Sequence, residues 1–458
     1  MVQYGQYSFI SAMLQTLFYI PPFFLGIPLF GFGWLLGILI FGTFLTLLVP
    51  KLRGKTGVLS LFCSFVVFAV LLVFVAPNLV EPEHGIPIRG YGFCLLLAIF
   101  SALLLVVYLG KEHAIKAETI YSLCLWAVVS GILGARIFYV TEYWQEMLRF
   151  DAAGNLLWGD SLFSLVNIAN GGLTVYGSVI GGIVGSLIFI RRNELPMLPM
   201  LDIMAPAFML GIAIGRIGCL LNGCCFGGVC DLPWAVTFPA GSPAHIHQIE
   251  HGAVFYWGLK FADAEPILST QRLTIAEVQP GSEAEKSGIK PKMVFRTIAG
   301  IVHGKPMHWE TNNVKDLISV LLFLQLVSPN EKVRFNIDSN SEGTNTDPYY
   351  AALAPSPVLP VHPAQIYSSI TAFVICGMLL VLGRLQRYKN RTGLMFATFL
   401  IFYSTARFVL EIIRTDEDSF LGTGLTVSQN VSLVAGAAGL LLFAGLILSE
   451  KKENKGKP

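Results

Sequence analysis

The feature that most constrains this chain is a series of apolar runs, each of roughly 20 residues, separated by polar segments. Such a run is long enough to cross the hydrocarbon core of a bilayer as a helix, which satisfies its own backbone hydrogen bonds. Hydrophobic residues make up 54% of the chain and charged residues 13%, with a mean hydropathy of +0.64. The sequence therefore predicts an all-α polytopic membrane protein.

Ten membrane spans are predicted from these runs. The first, near residues 9–25, is the weakest because it contains a proline pair. The others lie near residues 30–48, 58–80, 91–109, 120–140, 173–190, 201–221, 364–385, 395–413 and 427–448. With this count the basic loop residues all fall on one side, which the positive-inside rule makes cytoplasmic together with the C-terminus. The net charge of +2 is too small to indicate nucleic-acid binding.

The external loop at residues 222–360 is much longer than a connection needs, and its polar content rises. Residues 273–278 and 332–337 alternate like strands, and residues 314–326 have a helical pattern. Pro280-Gly281-Ser282 and Ser287-Gly288-Ile289 resemble the PDZ motif, although Lys292-Met293 stands where Gly-Asp is usual. This resemblance implies a PDZ-like domain at about 268–340, with a sheet edge for an extended peptide. The alternative is a β-rich insertion that only stabilises the loop.

Arg216 lies in an apolar helical run that continues into a glycine-rich segment. A guanidinium near membrane depth costs several kcal/mol unless an anion, water or another side chain compensates its charge. Arg216 is therefore expected to have a partner, and the glycines allow the chain to turn where a lipid head group enters. The alternative is that Arg216 reaches the membrane interface and the glycines only pack helices.

Tyr403, Arg407, Glu411 and Arg414 are spaced by four, four and three positions, so they share one helix face. Such a polar face inside an apolar span is not expected to contact lipid. Arg407 and Arg216 together would suit a phosphodiester, because guanidinium groups make planar hydrogen bonds to phosphate oxygens. The alternative is an internal ion pair between Arg407 and Glu411 that only locks helices.

Further polar motifs lie at the external ends of predicted spans: Tyr91-Gly92, Gly134-Ala135-Arg136, Gly171-Gly172-Leu173 and His362-Pro363-Ala364-Gln365-Ile366-Tyr367. With Gly215-Arg216-Ile217-Gly218, Asn222-Gly223 and Gly227 they resemble the motifs of the prolipoprotein diacylglyceryl transferase family, in the family's order. The resemblance implies a seven-helix core. About three N-terminal spans and the insertion would be additions. The implied domains are residues 1–87 (extra spans), 88–240 (core), 241–360 (external loop) and 361–458 (last three core helices).

The resemblance also implies a reaction. A diacylglyceryl group would pass from phosphatidylglycerol to the lipobox cysteine of an exported preprolipoprotein at the bacterial inner membrane, releasing glycerol 1-phosphate. No cofactor is implied. The candidate catalytic residues are Arg216, Arg407, Tyr176 and His362. The candidate substrate-binding residues are Arg216, Arg407, Tyr91, Arg136, Gly171, Gly172, Asn222, Gly227, Gln365, Tyr403, Glu411 and Arg414.

Three departures from the family pattern affect this expectation. Tyr176 occupies the place of a common histidine, and a phenol with a pKa of about 10 is a poorer base at neutral pH. Cys219 and Cys224 stand where the family has Asn and Glu, and Ser368 stands where Glu is common. The candidate general base is therefore Tyr176, alone or with His362, and deprotonation assisted by the phosphate or by solvent is equally open.

Cys219, Cys224, Cys225 and Cys230 could bind zinc or form a disulfide, but their spacing is not that of paired zinc knuckles. Packing by small residues is the favoured interpretation, and no metal site is predicted. An intramembrane metalloprotease would need a helical H-E-x-x-H run, which the sequence lacks. The remaining alternative is a catalytically altered homologue that binds lipid or lipoprotein without transferring anything.

Overall fold

The computed structural model describes residues 16–29, 32–48, 85–148, 157–166, 172, 174–240, 242–261, 274–286, 288–302, 305–310, 333–338, 349–351, 358–385, 391–415 and 424–455, with residue 388 and short pieces between 65 and 80. The chain forms two compact units. The first comprises Met1–Cys94 and Ile217–Gln365, and the second comprises Leu95–Arg216 and Ile366–Pro458.

The described residues are mostly helical. In chain order the helices are α1 (Trp34–Leu48), α2 (Gly90–Gly110), α3 (Ala117–Glu142), α4 (Trp144–Met147), α5 (Trp158–Val166), α6 (Val175–Arg192), α7 (Met197–Asn222), α8 (Pro243–Glu250), α9 (Glu283–Lys286), α10 (Ala364–Leu382), α11 (Leu394–Glu411) and α12 (Val427–Lys455).

Seven helices in the described part of the chain are long and apolar enough to cross a membrane: α2, α3, α6, α7, α10, α11 and α12. Each coincides within a few residues with a predicted span, apart from the polar end of α12, so these seven predictions are confirmed. The chain is a multi-pass membrane protein. Among the seven helices, α7 has the largest buried share, because 44% of the residues in its most apolar stretch are buried inside the protein. Helix α7 is therefore the most enclosed of the seven.

The N-terminal region differs from the prediction. Residues 16–25 were expected to be helical, but Thr16–Ile20 is a strand, β1, paired antiparallel with Ile86–Arg89, β4. Phe23–Phe24 and Ile27–Pro28 form a second short pair, β2 and β3. Two consecutive prolines and a left-handed Leu25 (φ +52°) stop a helix here. The prediction of a span at 9–25 is therefore wrong over the described residues.

The next two predicted N-terminal spans have different outcomes. The run at 30–48 is a helix, α1, but its 15 residues are shorter than the roughly 20 that a perpendicular crossing needs. Most of the run at 58–80 lies outside the described residues. The proposal of three additional spans is thus not supported by residues 16–48.

In the second unit, α3 and α6 approach closely along a row of glycines. Gly177, Gly181 and Gly185 recur every four residues on α6, the small-residue spacing that lets two membrane helices meet backbone to backbone. A Cβ added at Gly181 would overlap the carbonyl oxygen of Ser130 and lie 2.9 Å from the Cα of Gly134. This contact fixes the position of α3, which carries Arg136.

A second contact in this unit joins α7 to α10 and α11. Met209 and Ala213 of α7 and Leu379 of α10 are completely or almost completely buried in one apolar cluster. Asp202 of α7 accepts hydrogen bonds from the backbone N–H groups of Gly393 (2.5 Å) and Phe396 (2.8 Å). These N–H groups lie at the first turn of α11, where they have no partner within the helix, so Asp202 caps α11.

The first unit contains short strands from the long loop. Leu259–Phe261 (β5) pairs antiparallel with Ile275–Val278 (β6). Val294–Val302 (β7), Lys305–Glu310 (β8), Val333–Asp338 (β9) and Tyr349–Ala351 (β10) form an antiparallel sheet of order β10-β9-β7-β8. Strands predicted at 273–278 and 332–337 are confirmed as β6 and β9. The helix predicted at 314–326 lies outside the described residues.

We expect Gly181→Ala to destabilise the protein by about 1–3 kcal/mol, because the new methyl group forces α3 and α6 apart. The matched control is Gly377→Ala in α10, where an added Cβ meets nothing within 4 Å and helix propensity improves. Thermal unfolding of both variants in the same detergent measures the difference. Equal midpoints for the two variants would contradict the packing described here.

Candidate active site

Glu411, at the end of α11, holds two arginines. Its side chain has 0% exposure, and one carboxylate oxygen pairs with Arg407 Nη1 and, at 3.6 Å, with Arg414 Nη1. The two guanidinium groups are nearly buried, at 14% and 8% exposure. The internal ion pair weighed as an alternative is therefore present. Because one carboxylate neutralises only one of two cations, the group keeps a net positive charge.

The first turn of α12 completes this cluster. Thr426 and Gln429 form a reciprocal cap, in which the Gln429 N–H donates to Thr426 Oγ1 (3.2 Å) and the Thr426 N–H to Gln429 Oε1 (3.0 Å). The Thr426 hydroxyl also donates to Glu411 Oε1 (3.3 Å), and Arg407 Nη2 donates to Ser428 Oγ (2.7 Å). A helix N-terminus, which favours anions, thus lies beside the arginines.

Arg216 belongs to the same unit, on α7. Its side chain is partly buried, and its charge acts electrostatically on Arg407, as do the charges of Arg414 and Glu411. Tyr403, one turn before Arg407 on α11, stacks on Phe399 at a centroid distance of 5.8 Å. The structure therefore brings together Arg216, Arg407, Glu411 and Arg414, which suits a doubly charged phosphate or a phosphodiester.

Arg136 of α3 binds backbone rather than an open site. Its Nε donates to the carbonyl of Leu165 (2.8 Å), Nη1 to that of Gly172 (2.9 Å) and Nη2 to that of Ser164. Ser164 and Leu165 lie at the end of α5, where carbonyl groups lack helical partners. Arg136 therefore positions the loop before α6, a role that the family pattern alone did not indicate.

Gly172 lies in the loop that Arg136 holds. Its φ of +83° favours glycine, and an added Cβ would lie 2.5 Å from Arg136 Nη1 and 2.7 Å from the Tyr139 ring. Tyr176 follows in the first turn of α6 with 47% of its surface exposed, and is accessible to a substrate. Gly171 lies outside the described residues.

In the first unit, the segment before α10 joins the loop after α7. The N–H of Gly227 donates to the carbonyl of His362 (2.9 Å), and the N–H of His362 to that of Gly228 (3.0 Å). Gln365, completely buried, donates through Nε2 to the carbonyl of Cys224 (2.7 Å). The structure therefore brings Asn222, at the end of α7, into one region with Gly227, His362 and Gln365.

Two further elements of the first unit support this region. Gln248 of α8 makes a pair of hydrogen bonds, each 2.9 Å, with the backbone of Leu359. Tyr91 lies in the first turn of α2 with 41% exposure, and its backbone lies against Gly218, where an added Cβ would be 3.3 Å from the Tyr91 carbonyl oxygen. Burial lowers the pKa of His245 on α8, so this imidazole is neutral at pH 7.

The second unit also contains an apolar cavity of about 440 Å³. Side chains of α2, α3 and α7 line it, among them Leu103, Val128 and Phe208. A hydrocarbon chain fits these walls, because the lining is almost entirely apolar.

Comparison with known proteins decides the family. The family model described as prolipoprotein diacylglyceryl transferase matches residues 77–445. The chain belongs to the prolipoprotein diacylglyceryl transferase family. It is therefore a transferase of lipoprotein biosynthesis, as the resemblance implied.

Individual members of the family agree. A protein of Rhodopirellula baltica named phosphatidylglycerol–prolipoprotein diacylglyceryl transferase is 32% identical over 94% of this chain and 89% of its own length. Proteins of the same name from Trichormus variabilis and Gloeobacter violaceus are 32% and 34% identical over 36% of this chain, and 56% and 58% of their own lengths. The Rhodopirellula baltica protein therefore also aligns across the long insertion.

Thr426 and Ser428 were missed by the sequence analysis. Their signal is the run Thr426-Val427-Ser428-Gln429, which has the Ser/Thr-x-x-Glu/Gln form of a helix start. That pattern locates the first turn of α12, but it does not show that α11 lies beside it.

We expect Glu411→Gln to destabilise the protein by about 3–5 kcal/mol, because two nearly buried guanidinium groups lose their shared carboxylate. Glu118→Gln, at an exposed position in the first turn of α3, is the control and should change stability by no more than about 0.5 kcal/mol. The shift in unfolding midpoint measures both. A Glu411→Gln midpoint equal to that of the control would rule out this pairing.

Proposed function

We propose that this chain transfers the diacylglyceryl group of phosphatidylglycerol to the lipobox cysteine of a preprolipoprotein. The cysteine thiolate attacks the glyceryl carbon that bears the phosphate, a C–S bond forms, and the C–O bond breaks. Glycerol 1-phosphate leaves with the electron pair of that bond. Family membership supports this reaction, and the arginine cluster around Glu411 is the single structural observation that carries it.

Arg216, Arg407 and Arg414 are proposed to stabilise the departing phosphate. Negative charge grows on the phosphate as the C–O bond breaks, so cations held in place beforehand favour the transition state. Glu411 and Ser428 hold Arg407, which limits the reorganisation needed during the reaction. The apolar cavity in the same unit is proposed to receive an acyl chain of the lipid.

The proton of the attacking thiol needs an acceptor. Tyr176 is our candidate, alone or with His362, because its ring is accessible at the start of α6. Tyr91, Asn222, Gly227, Gln365 and Tyr403 are proposed to line the substrate site, and Arg136 with Gly171 and Gly172 to shape the loop before α6.

The orientation in the membrane is also a proposal. The basic residues between spans place the C-terminus in the cytoplasm by the positive-inside rule, so the loop after α7 faces outward. This side would meet exported preproteins in a bacterial inner membrane. We keep the domain boundaries implied by the family resemblance. They divide the chain into an N-terminal region (1–87), the first part of the core (88–240), the external loop (241–360) and the last three core helices (361–458).

We further propose that residues of about 268–340 form a PDZ-like domain. Ser282 accepts a hydrogen bond from the N–H of Glu285 (3.2 Å), and the Glu285 carboxylate accepts one from the N–H of Gly281 (2.5 Å), which starts the short helix α9. Lys292 has a φ of +72°, the conformation of a glycine, at the position where the PDZ motif has one. This left-handed conformation supports the proposal of a PDZ-like turn at this position.

We expect Arg216→Ala to lower the transfer rate by about 10²–10³-fold, the cost of removing one preorganised charge partner of a transition state. The assay uses radiolabelled phosphatidylglycerol in proteoliposomes and a lipobox peptide, and it measures label on the peptide. Arg191→Ala is the control. Arg191 is exposed in the last turn of α6, at the end opposite to Tyr176, so its loss should leave the transfer rate unchanged.

A peptide with serine in place of the lipobox cysteine should remain unlabelled, since the acceptor is a thiolate. Wild-type protein that binds phosphatidylglycerol but never labels the peptide would contradict transfer and indicate a lipid-binding homologue.

We expect Tyr176→Phe to lower kcat by about 10²-fold or more, because proton transfer by a positioned side chain contributes about 10²–10⁴-fold. KM for phosphatidylglycerol should change little, since the ring is retained. The same transfer assay over a range of pH measures this. A Tyr176→Phe enzyme with the wild-type rate would exclude Tyr176 as the base and favour deprotonation through the phosphate or solvent.

A further inference from the structure

Three thiols meet where α7 ends. The Sγ atoms of Cys219, Cys224 and Cys225 all lie within 4.8 Å of one another, and all three residues are partly buried. Cys230 does not belong to this group among the described residues. The transfer reaction proposed above uses none of these sulfurs, so the cluster needs a separate explanation.

The way α7 ends explains why two of the thiols meet. The N–H of Gly223 donates to the carbonyl of Leu220 (3.1 Å), and the N–H of Cys224 to that of Cys219 (3.2 Å). This is the Schellman arrangement, with Gly223 in the left-handed conformation (φ +70°) that it requires. In this arrangement the side chains of Cys219 and Cys224 come into contact, because they occupy the two positions that the cap brings together.

Cys225 adds the third sulfur through a second backbone feature. Its φ is +59°, a left-handed conformation that is unfavourable for a non-glycine residue. This conformation turns the chain so that Cys225 remains beside Cys219, which a continuing extended chain would not do. Strain of this kind persists where the surrounding structure or a function requires it.

The chain around the cluster is held from outside. Gln365 Nε2 donates to the carbonyl of Cys224 at 2.7 Å. Gln365 has no exposed surface, and no donor among the described residues reaches its Oε1. A buried oxygen of this kind, on the side chain that holds the backbone of Cys224, is an acceptor for a ligand or for water bound to one.

We propose that Cys219, Cys224 and Cys225 form a three-thiolate site for a thiophilic d¹⁰ metal ion, Zn²⁺ or Cu⁺. Thiolates are the ligands that these ions prefer, with metal–sulfur distances of about 2.3 Å for zinc. Three sulfurs at the observed separations close around one ion with small side-chain rotations. Binding releases the three thiol protons to solvent, and no electrons are exchanged.

The two ions differ in what the site would become. Cu⁺ is satisfied by three thiolates, whereas Zn²⁺ takes four ligands, so zinc would keep a fourth position for water or an outside ligand. Either ion would link the end of α7 to the loop that contains Gly227. The cysteine spacing alone led us to expect that these residues only pack helices. The Schellman turn, which brings Cys219 and Cys224 together, could not be seen from that spacing.

The test uses the full-length protein purified in detergent with a reductant. The metal content of samples loaded with Zn²⁺ or with Cu⁺ is measured by elemental analysis, and Cd²⁺ serves as a spectroscopic probe through its thiolate charge-transfer absorption. We expect about one ion per chain and a Cd²⁺ band of thiolate ligation. Comparing the Zn²⁺ and Cu⁺ affinities identifies the preferred ion.

Matched single variants identify the ligands. Cys219→Ser, Cys224→Ser and Cys225→Ser should each weaken binding at least about tenfold, the loss that follows even from removing an outer partner of a metal ligand. Cys230→Ser, in the same loop, should bind like wild type. Size-exclusion profiles and unfolding midpoints without metal verify that each variant is folded.

Three results would overturn the proposal. The first is wild-type protein that takes up neither ion. The second is Cys230→Ser losing the metal as strongly as the other three variants. The third is a disulfide between two of the three cysteines in protein isolated without reductant that binds no metal after reduction, which mass spectrometry after thiol alkylation detects. None of these readouts depends on transferase activity.

Discussion

The candidate active site depends on keeping the charges of Glu411 and its arginine partners inside an apolar environment. Glu411 has no exposed surface, and its charge is tolerated only because Arg407, Arg414 and Thr426 surround it. The same carboxylate holds two guanidinium groups at the end of an apolar, membrane-spanning helix without fully neutralising them. Structural pairing and anion binding are therefore not competing interpretations of this helix face. The ion pair orients the arginines, and the remaining positive charge is what a phosphate would find.

Such a cluster functions only if the helices that carry it are held in register. In the second unit this rests on close backbone contact and on polar caps. The α3–α6 contact leaves no space for a methyl group at Gly181, and Asp202 of α7 fixes the first turn of α11. Helices in lipid gain little from the hydrophobic effect between them, so packing of small residues and buried hydrogen bonds take its place.

The seven long spans followed from hydropathy because each must satisfy its backbone in lipid, whatever its neighbours. The polar face of α11 also followed from spacing. Hydropathy failed at residues 16–25, where Pro21-Pro22 and pairing with Ile86–Arg89 decide the structure, and strand pairing across about 70 residues is not a local signal. The role of Arg136 depends in the same way on carbonyls at the end of α5, 28 and 29 residues away. Contacts between residues far apart in the chain could therefore not be predicted from the sequence.

The end of α7 shows how a local rule can carry more information than a motif spacing. The interval from Cys219 to Cys224 is unlike a zinc knuckle, and on spacing alone it indicated packing. Gly223 after Asn222 predicts a Schellman cap, and this cap makes positions 219 and 224 neighbours whatever residues occupy them. Two thiols in this geometry, joined by Cys225, gather three soft ligands at the helix end. The residues at these positions therefore decide the chemistry of the helix end, while Gly223 decides its fold.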